Sequence, residues 1–260
     1  METRVAVVTG AARGLGRVLA CRLAEAGYDL ALADLTPLDG TAAEAESRGA
    51  RVVAERVDVA SEADVARLDA AALGTFGRVD VLVNNAGISH LAPAEETSAE
   101  DWRRVLDVNL TGPFLLCRRF GPGMLAARSG SIVNIASIAG LRGVSHRAAY
   151  NASKHGLVGL TSTLAAEWGG RGVRVNAVCP GWIKTEMDDE DQAAGGYTDD
   201  DITGQVPLAR FAAPSDVAEA VIFLADPDRS GFVNGVALPV DGGWTSDASW
   251  LSLRLRTRGG

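Results

Sequence analysis

Short apolar runs of strand length recur along the chain at 4–9, 29–34, 51–57, 79–83, 130–135, 173–178 and 236–240, and longer segments of helical period separate them. Runs that are apolar at nearly every position suit strands buried on both faces. Their alternation with helices predicts an α/β fold, a single Rossmann-type doubly wound parallel sheet with helices on both faces. Helix starts are marked as well. Ser61 and Asp64 read as a capping box, as do Ser98 and Asp101, and Pro214 suits the first turn of a later helix.

Two stretches break the rhythm. Residues 186–201 are rich in Asp and Gly and read as a mobile loop, part of a lid spanning 186–210. In the C-terminal tail, 244–260, Trp250, Leu251, Leu253 and Leu255 alternate with polar residues. With no internal repeat and no Pro/Ser linker, 1–260 reads as one domain. Between 105 and 125, Val105, Leu106, Val108, Leu110, Phe114, Leu115, Leu116, Phe120, Met124 and Leu125 are spread around most of a helix. A helix covering only its own core would confine them to one stripe, so another subunit is expected to cover a second face.

Composition narrows the classes of function. An apolar share of 47% over 260 residues suits one sizeable core. A formal charge of -8 gives no basic surface to neutralise phosphates, so no nucleic-acid partner is expected. Cys21, Cys117 and Cys179 are far apart in apolar contexts, which suits neither a zinc site nor a disulfide framework and fits a reducing cytoplasm. The first apolar run is too short for a signal peptide or a membrane span, so a cytoplasmic protein without a membrane partner is expected.

The chemistry-bearing residues fall into two groups. Gly10, Arg13, Gly14, Leu15 and Gly16 form a glycine turn between the first strand and the first helix, where free amides and the helix dipole favour a pyrophosphate. Asp34 ends the second strand, at an offset where an acid can hydrogen-bond ribose hydroxyls. A glycine turn alone serves backbone geometry equally well, and a lone acid there is as readily solvated. In the second group, Tyr150 and Lys154 stand four apart, with Cβ atoms about 5 to 6 Å apart on one helical face. Lowering a tyrosine from its usual pKa near 10 to neutrality takes about 4 kcal/mol, and the ammonium supplies part of that. Ser137, after the fifth strand, is placed to donate to a substrate oxygen. A Tyr/Lys pair on a helix is ordinarily packing plus a solvated charge; its occurrence with the glycine turn singles this one out.

The spacing Gly10-x-x-x-Gly14-x-Gly16 resembles that of the short-chain dehydrogenase/reductases. Further matches follow in order across about 4–243: Asp58-Val59, Asn84-Asn85-Ala86-Gly87, Asn109, Ser137, Tyr150-x-x-x-Lys154 and Pro180-Gly181-Trp182-Ile183-Lys184-Thr185. The resemblance implies a dinucleotide-binding catalytic domain in which Asp58 and Val59 contact adenine and Asn85, Ala86 and Gly87 flank the adenosine ribose. Pro180 and Gly181 fix the turn beyond which Ile183 and Thr185 hold the carboxamide. Ser137, Tyr150 and Lys154 match the catalytic triad, and Lys154 also bonds the nicotinamide ribose. Asn109 matches a fourth catalytic residue, which bends its helix and anchors a water in a relay to Lys154. Asn84 fits better as a partner for buried backbone groups. The implied reaction is hydride transfer between a secondary alcohol carbon and a nicotinamide, without metal, in a homodimer or homotetramer.

Two residues disagree over the cofactor. Arg13 resembles the basic residue of NADP-dependent members and Asp34 the acid of NAD-dependent ones; a carboxylate beside the 2′-phosphate costs about 4 kcal/mol at about 4 Å and an effective dielectric near 20, so NAD is expected. The substrate pocket is expected at 89–92, 138–146, Trp182 and 186–201, with Leu141 and Val144 apolar and Arg142 and His146 polar. Resemblance divides between sugar or polyol dehydrogenases and 3-oxoacyl carrier-protein reductases. Arg128 and Arg171 match basic residues with which the latter dock an acidic carrier, but the acids of 186–201 would repel one. A small alcohol, polyol or sugar is therefore the expected substrate. A nucleotide-sensing regulator would have no reason to keep Ser137, Tyr150 and Lys154 in register, and an interaction scaffold would bind no dinucleotide.

Overall fold

The computed structural model describes residues 3–195 and 197–249. Its first half runs β1 (Val5–Thr9), α1 (Gly14–Glu25), β2 (Asp29–Asp34), α2 (Asp39–Glu46), β3 (Val52–Arg56), α3 (Glu62–Phe76), β4 (Val81–Asn84), α4 (Ala99–Leu106) and α5 (Gly112–Ala127). The second half runs β5 (Gly130–Ile135), α6 (Ala148–Trp168), β6 (Val173–Pro180), α7 (Glu186–Gly195), α8 (Asp199–Gln205), α9 (Pro214–Ala225), α10 (Pro227–Ser230) and β7 (Ala237–Val240). The strands form one parallel sheet in the order β3-β2-β1-β4-β5-β6-β7.

The central strands β1 and β4 are buried at every position, as both covered faces require. On one face Leu19 and Leu23 of α1 meet Val217, Val221 and Leu224 of α9; on the other, Val65 and Leu68 of α3 pack with Leu116 and Phe120 of α5 and Leu164 of α6. Strand order reverses between β1 and β4, and at such a switch point the crossover connections diverge and leave a crevice beyond the carboxyl ends of the strands.

The sequence reading needs three corrections. Residues 186–201 are not an open loop, because α7 and α8 fill most of the stretch. Thr198 caps α8 in a reciprocal box with Asp201, and Asp199, Asp200 and Asp201 suit the positive end of the helix dipole. Ser61 and Ser98 do cap α3 and α4, each accepting the amide three residues on. The Asp64 carboxylate, however, accepts the Asp58 amide at 3.0 Å instead of closing the Ser61 box. The apolar segment 105–125 is not one continuous α-helix either, since a π-helical turn at Asp107–Thr111 separates α4 from α5. Trp250, Leu251, Leu253 and Leu255 lie outside the described residues.

Candidate active site

The carboxyl ends of the strands open into a cleft of about 920 Å³, near the top of the ~300–1,000 Å³ range of small-molecule sites and wide enough for a dinucleotide with a small second ligand. At one end lies the glycine turn. Gly10 and Gly14 have φ of +65° and +52°, conformations that favour glycine. A Cβ on Gly16 would stand 1.8 Å from the Gly10 carbonyl oxygen, so α1 can start this close to β1 only without one. Arg13, at the position before the helix, provides no side-chain cap, and the first turn holds no acid, which leaves the first amides for a ligand.

Asn85 shapes this turn. Its side-chain amide donates to the carbonyls of Thr9 at 2.9 Å and Gly10 at 3.1 Å, while the Thr9 hydroxyl accepts the amides of Asn85 and Ala86, both at 3.1 Å. Asn84, one residue earlier, turns into the core and donates to Asn134 Oδ1 at 2.7 Å, a side chain rather than the backbone partner expected. Asp34 accepts the Ala12 amide at 3.0 Å on one oxygen and the Thr36 amide at 3.0 Å on the other. Leu15, Asp58, Val59, Ala86 and Gly87 line the same end of the cleft, and Pro180, Gly181, Ile183 and Thr185 line its far wall.

At the other end, β5 and α6 bring the polar groups together. Gly140 makes this possible, because a Cβ there would stand 2.8 Å from the Lys154 carbonyl oxygen; the turn carrying Ser137 lies against the α6 backbone. Ser137 accepts the Ala139 amide at 3.1 Å, and both Ser137 and Tyr150 line the cleft. The Lys154 ammonium lies 5.6 Å from the centre of the Tyr150 ring and donates to the Ile135 carbonyl at 2.8 Å. Asn109 does not line the cleft. It is fully buried behind it, within the π-helical turn, with Oδ1 accepting the Ile88 amide at 2.9 Å. Its Nδ2 donates to the Ile88 carbonyl at 2.9 Å and to Ser153 Oγ at 3.2 Å.

Electrostatics differ from the sequence expectation. Burial pushes the Tyr150 phenol up from its ordinary value; the Ser137 hydrogen bond and the Arg147 guanidinium pull it back, and Asp191 opposes them. Lys154 is not among the charges that lower it. Burial instead depresses the lysine itself to about 8. The protein alone thus favours the neutral phenol, and a positive charge brought by a ligand would favour the tyrosinate.

The expected substrate wall is only partly right. Ile138, Ala139, Val144 and Trp182 face the cleft, whereas Leu141, Arg142 and His146 do not line it. Arg142 donates to the Thr245 carbonyl at 3.1 Å, and His146 is exposed. The polar group that enters is Arg147, with Asp188 and Asp191 of α7 beside it. The acids of 186–201 are also less repulsive than their number implies, because Lys184 bridges Asp188, Asp189 and Asp199 at 3.3, 3.2 and 2.8 Å. Arg128 and Arg171 lie two residues before β5 and β6, at the end of the sheet opposite the cleft of the same chain.

The residues present fit a nicotinamide dinucleotide: uncapped amides at a glycine turn, a fixed carboxylate at the end of β2, and hydroxyl and ammonium donors after β5. Among the described residues there is no cluster of His, Cys, Asp and Glu able to hold a metal ion, and no helix is long and apolar enough to cross a membrane.

Comparisons with known proteins identify similar chains. A family model described as enoyl-(acyl carrier protein) reductase matches residues 10–245. The chain is 44% identical over 248 residues to D-threitol dehydrogenase of Mycolicibacterium smegmatis, covering 94% of each protein. It is 39% identical over 246 residues to a 3-oxoacyl-[acyl-carrier-protein] reductase of Synechocystis sp., covering 94% of this chain and 97% of that one. A solved structure from Beutenbergia cavernae, with NADP bound at low occupancy, matches with a TM-score of 0.88 and 44% identity over 95% of this chain and 98% of that one.

Proposed function

The chain belongs to the short-chain dehydrogenase/reductase family, and from that premise we propose that it oxidises a neutral secondary alcohol of small-alcohol, polyol or sugar type, or reduces the corresponding ketone, with NAD preferred over NADP. The observation that carries this reading is the convergence of Ser137, Tyr150 and Lys154 on one cleft with the glycine turn. The nicotinamide, when bound, accepts or supplies the hydride and brings a positive charge in its oxidised form.

The chain's own residues handle the proton. Tyr150 exchanges it with the substrate oxygen, and Ser137 donates a hydrogen bond to that oxygen from the other side. Lys154, anchored on the Ile135 carbonyl, would hold ribose hydroxyls beside the phenol. Asn109 acts through others: by fixing both backbone groups of Ile88 it sets the wall between Gly87 and Lys154, where a Cβ on Gly87 would lie 3.3 Å from Asn109 Oδ1 and 3.6 Å from Lys154 Nζ. Residues 1–260 act as one dinucleotide-binding catalytic domain, in a homodimer or homotetramer.

The test is nicotinamide absorbance with a panel of small alcohols, polyols, sugars and 3-oxoacyl thioesters, using NAD and NADP. Tyr150→Phe is expected to abolish turnover while leaving NADH affinity within a few-fold, since the ring still packs but carries no exchangeable proton. Near-normal turnover in that variant would overturn the assignment. A preference for 3-oxoacyl thioesters would instead support the carrier-protein reductase reading, which the similarity to the Synechocystis enzyme keeps open.

A further inference from the structure

One largely buried ion pair, Arg147 with Asp191, faces the cleft beside Tyr150 without itself exchanging the proton. Arg147 is 7% exposed and sits at the start of α6, three residues before Tyr150. Its Nη1 donates to Asp191 Oδ2 at 2.7 Å and to Ser89 Oγ at 2.8 Å. The guanidinium carbon lies 5.9 Å from the centre of the Tyr150 ring and 5.5 Å from that of Trp182. Partners from the loop after β4, from α7 and from the end of β6 therefore hold one side chain, which cannot swing away without breaking contacts to all three.

Such a pair is poor value as a structural device, because desolvating two charges offsets most of their attraction. Its chemistry suits a ligand better. Arginine has only donors, and Nε and Nη2 remain for a ligand; the Asp191 carboxylate has only acceptors and has given one oxygen to Arg147. Donor and acceptor therefore stand side by side with no net charge, which is the complement of a hydroxyl group. An anionic substrate would find the arginine already neutralised and meet the carboxylates of Asp191 and Asp188 in the same wall. A monohydroxy alcohol would leave the pair without a partner.

We infer that the Arg147–Asp191 pair binds a second hydroxyl of the substrate, beside the reacting carbon, and so selects neutral vicinal polyols over both anionic and monohydroxy substrates. This rests on the dehydrogenase reading above and narrows it to a substrate class.

The experiment compares kcat/KM for 2,3-butanediol, 2-butanol and the anion 2,3-dihydroxybutyrate in wild type, Arg147→Gln and Asp191→Asn. Binding of NADH, followed by fluorescence, reports whether each variant folds. A hydrogen bond to a charged group typically contributes about ten- to a hundredfold. The wild type is expected to favour the diol over 2-butanol by that factor, chiefly through KM, and Arg147→Gln should remove most of the preference. Asp191→Asn, which leaves the arginine's charge uncompensated, should shift the anion-to-diol ratio at least tenfold towards the anion. If Arg147→Gln does not fold, the shift in Asp191→Asn decides alone. Diol oxidation by the wild type with both ratios unchanged in the folded variants would overturn the inference and leave the dehydrogenase reading standing. A wild type that oxidises no alcohol but reduces 3-oxoacyl thioesters would overturn that reading, and the inference with it.

Discussion

The Lys154 ammonium donates to the Ile135 carbonyl at 2.8 Å, a bond across the floor of the cleft from α6 to the end of β5. That carbonyl holds a group whose pKa burial has lowered to about 8. The unfolded chain holds this proton up to about pH 10.4, so between pH 8 and 10 the unfolded state binds more protons than the native state. Stability from this group therefore rises with pH across that window, by on the order of 2 to 3 kcal/mol, as the cost of the buried charge is relieved. Urea unfolding of wild type and Lys154→Met from pH 7 to 10 measures it as a difference. The wild type is expected to gain on the variant as pH rises; parallel curves would show that the lysine is solvated.

Asn109 is the hinge of a second expectation. Substituting alanine leaves the Ile88 amide and carbonyl and the Ser153 hydroxyl without the partner they now share. A buried polar group left unmatched costs about 1 to 3 kcal/mol, so Asn109→Ala should lose about 2 to 4 kcal/mol of stability. Turnover should fall as well, because the Ile88 backbone borders Gly87 and the lysine. Chemical denaturation and initial rates on the same preparation check this, and unchanged stability would show that water replaces the side chain at no cost.

Phe114 on α5 is 44% exposed and Trp102 on α4 is 39% exposed, whereas Leu115, Leu116 and Phe120 are buried within the chain. The apolar excess of segment 105–125 is thus only partly absorbed by its own core, and the remainder suits cover by a second copy. Sedimentation at micromolar concentration is expected to give a dimer or tetramer, and Phe114→Glu to dissociate it by placing a charge in the covered face. A wild-type monomer would refute the assembly.

How much of this was legible beforehand depends on how local the cause was. The bounds of β2 and β5 follow from the sequence because a strand covered on both faces is a continuous apolar run closed by turn residues. The glycine turn and the Tyr150–Lys154 pair were equally visible, as their spacing is their meaning. The helices of 186–205 were obscured by acidic composition, although Thr198 and Asp201 carry the same capping signal found at Ser61 and Ser98. The π-helical turn was marked only through Asn109, which the family resemblance gives as bending its helix. Arg147 was missed in favour of Arg142 and His146 because its burial comes from Ser89 and Asp191, 58 and 44 residues away. Its place three residues before Tyr150, one helical turn, was the available clue.

Cofactor choice turns on Asp34 and Arg13, and the structure adds a constraint on the acid. One Asp34 oxygen accepts the Ala12 amide at 3.0 Å, and the other accepts the Thr36 amide at 3.0 Å and the Thr36 hydroxyl at 2.9 Å. The carboxylate cannot turn away from a 2′-phosphate without giving up bonds that hold the glycine turn. Arg13 is exposed at the start of α1, beside the turn whose amides would face a phosphate. Repulsion at about 4 Å is worth about 4 kcal/mol at an effective dielectric near 20, and half of that still gives roughly thirtyfold in favour of NAD. Asp34→Asn is the sharper variant, since it removes the charge and keeps an acceptor for the Ala12 amide. It should bring the ratio of kcat/KM for NAD and NADP close to one, whereas Asp34→Ala should also weaken NAD binding by loosening the turn. Equal use of both cofactors by the wild type, or an unchanged ratio in Asp34→Asn, would show that Arg13 governs the site.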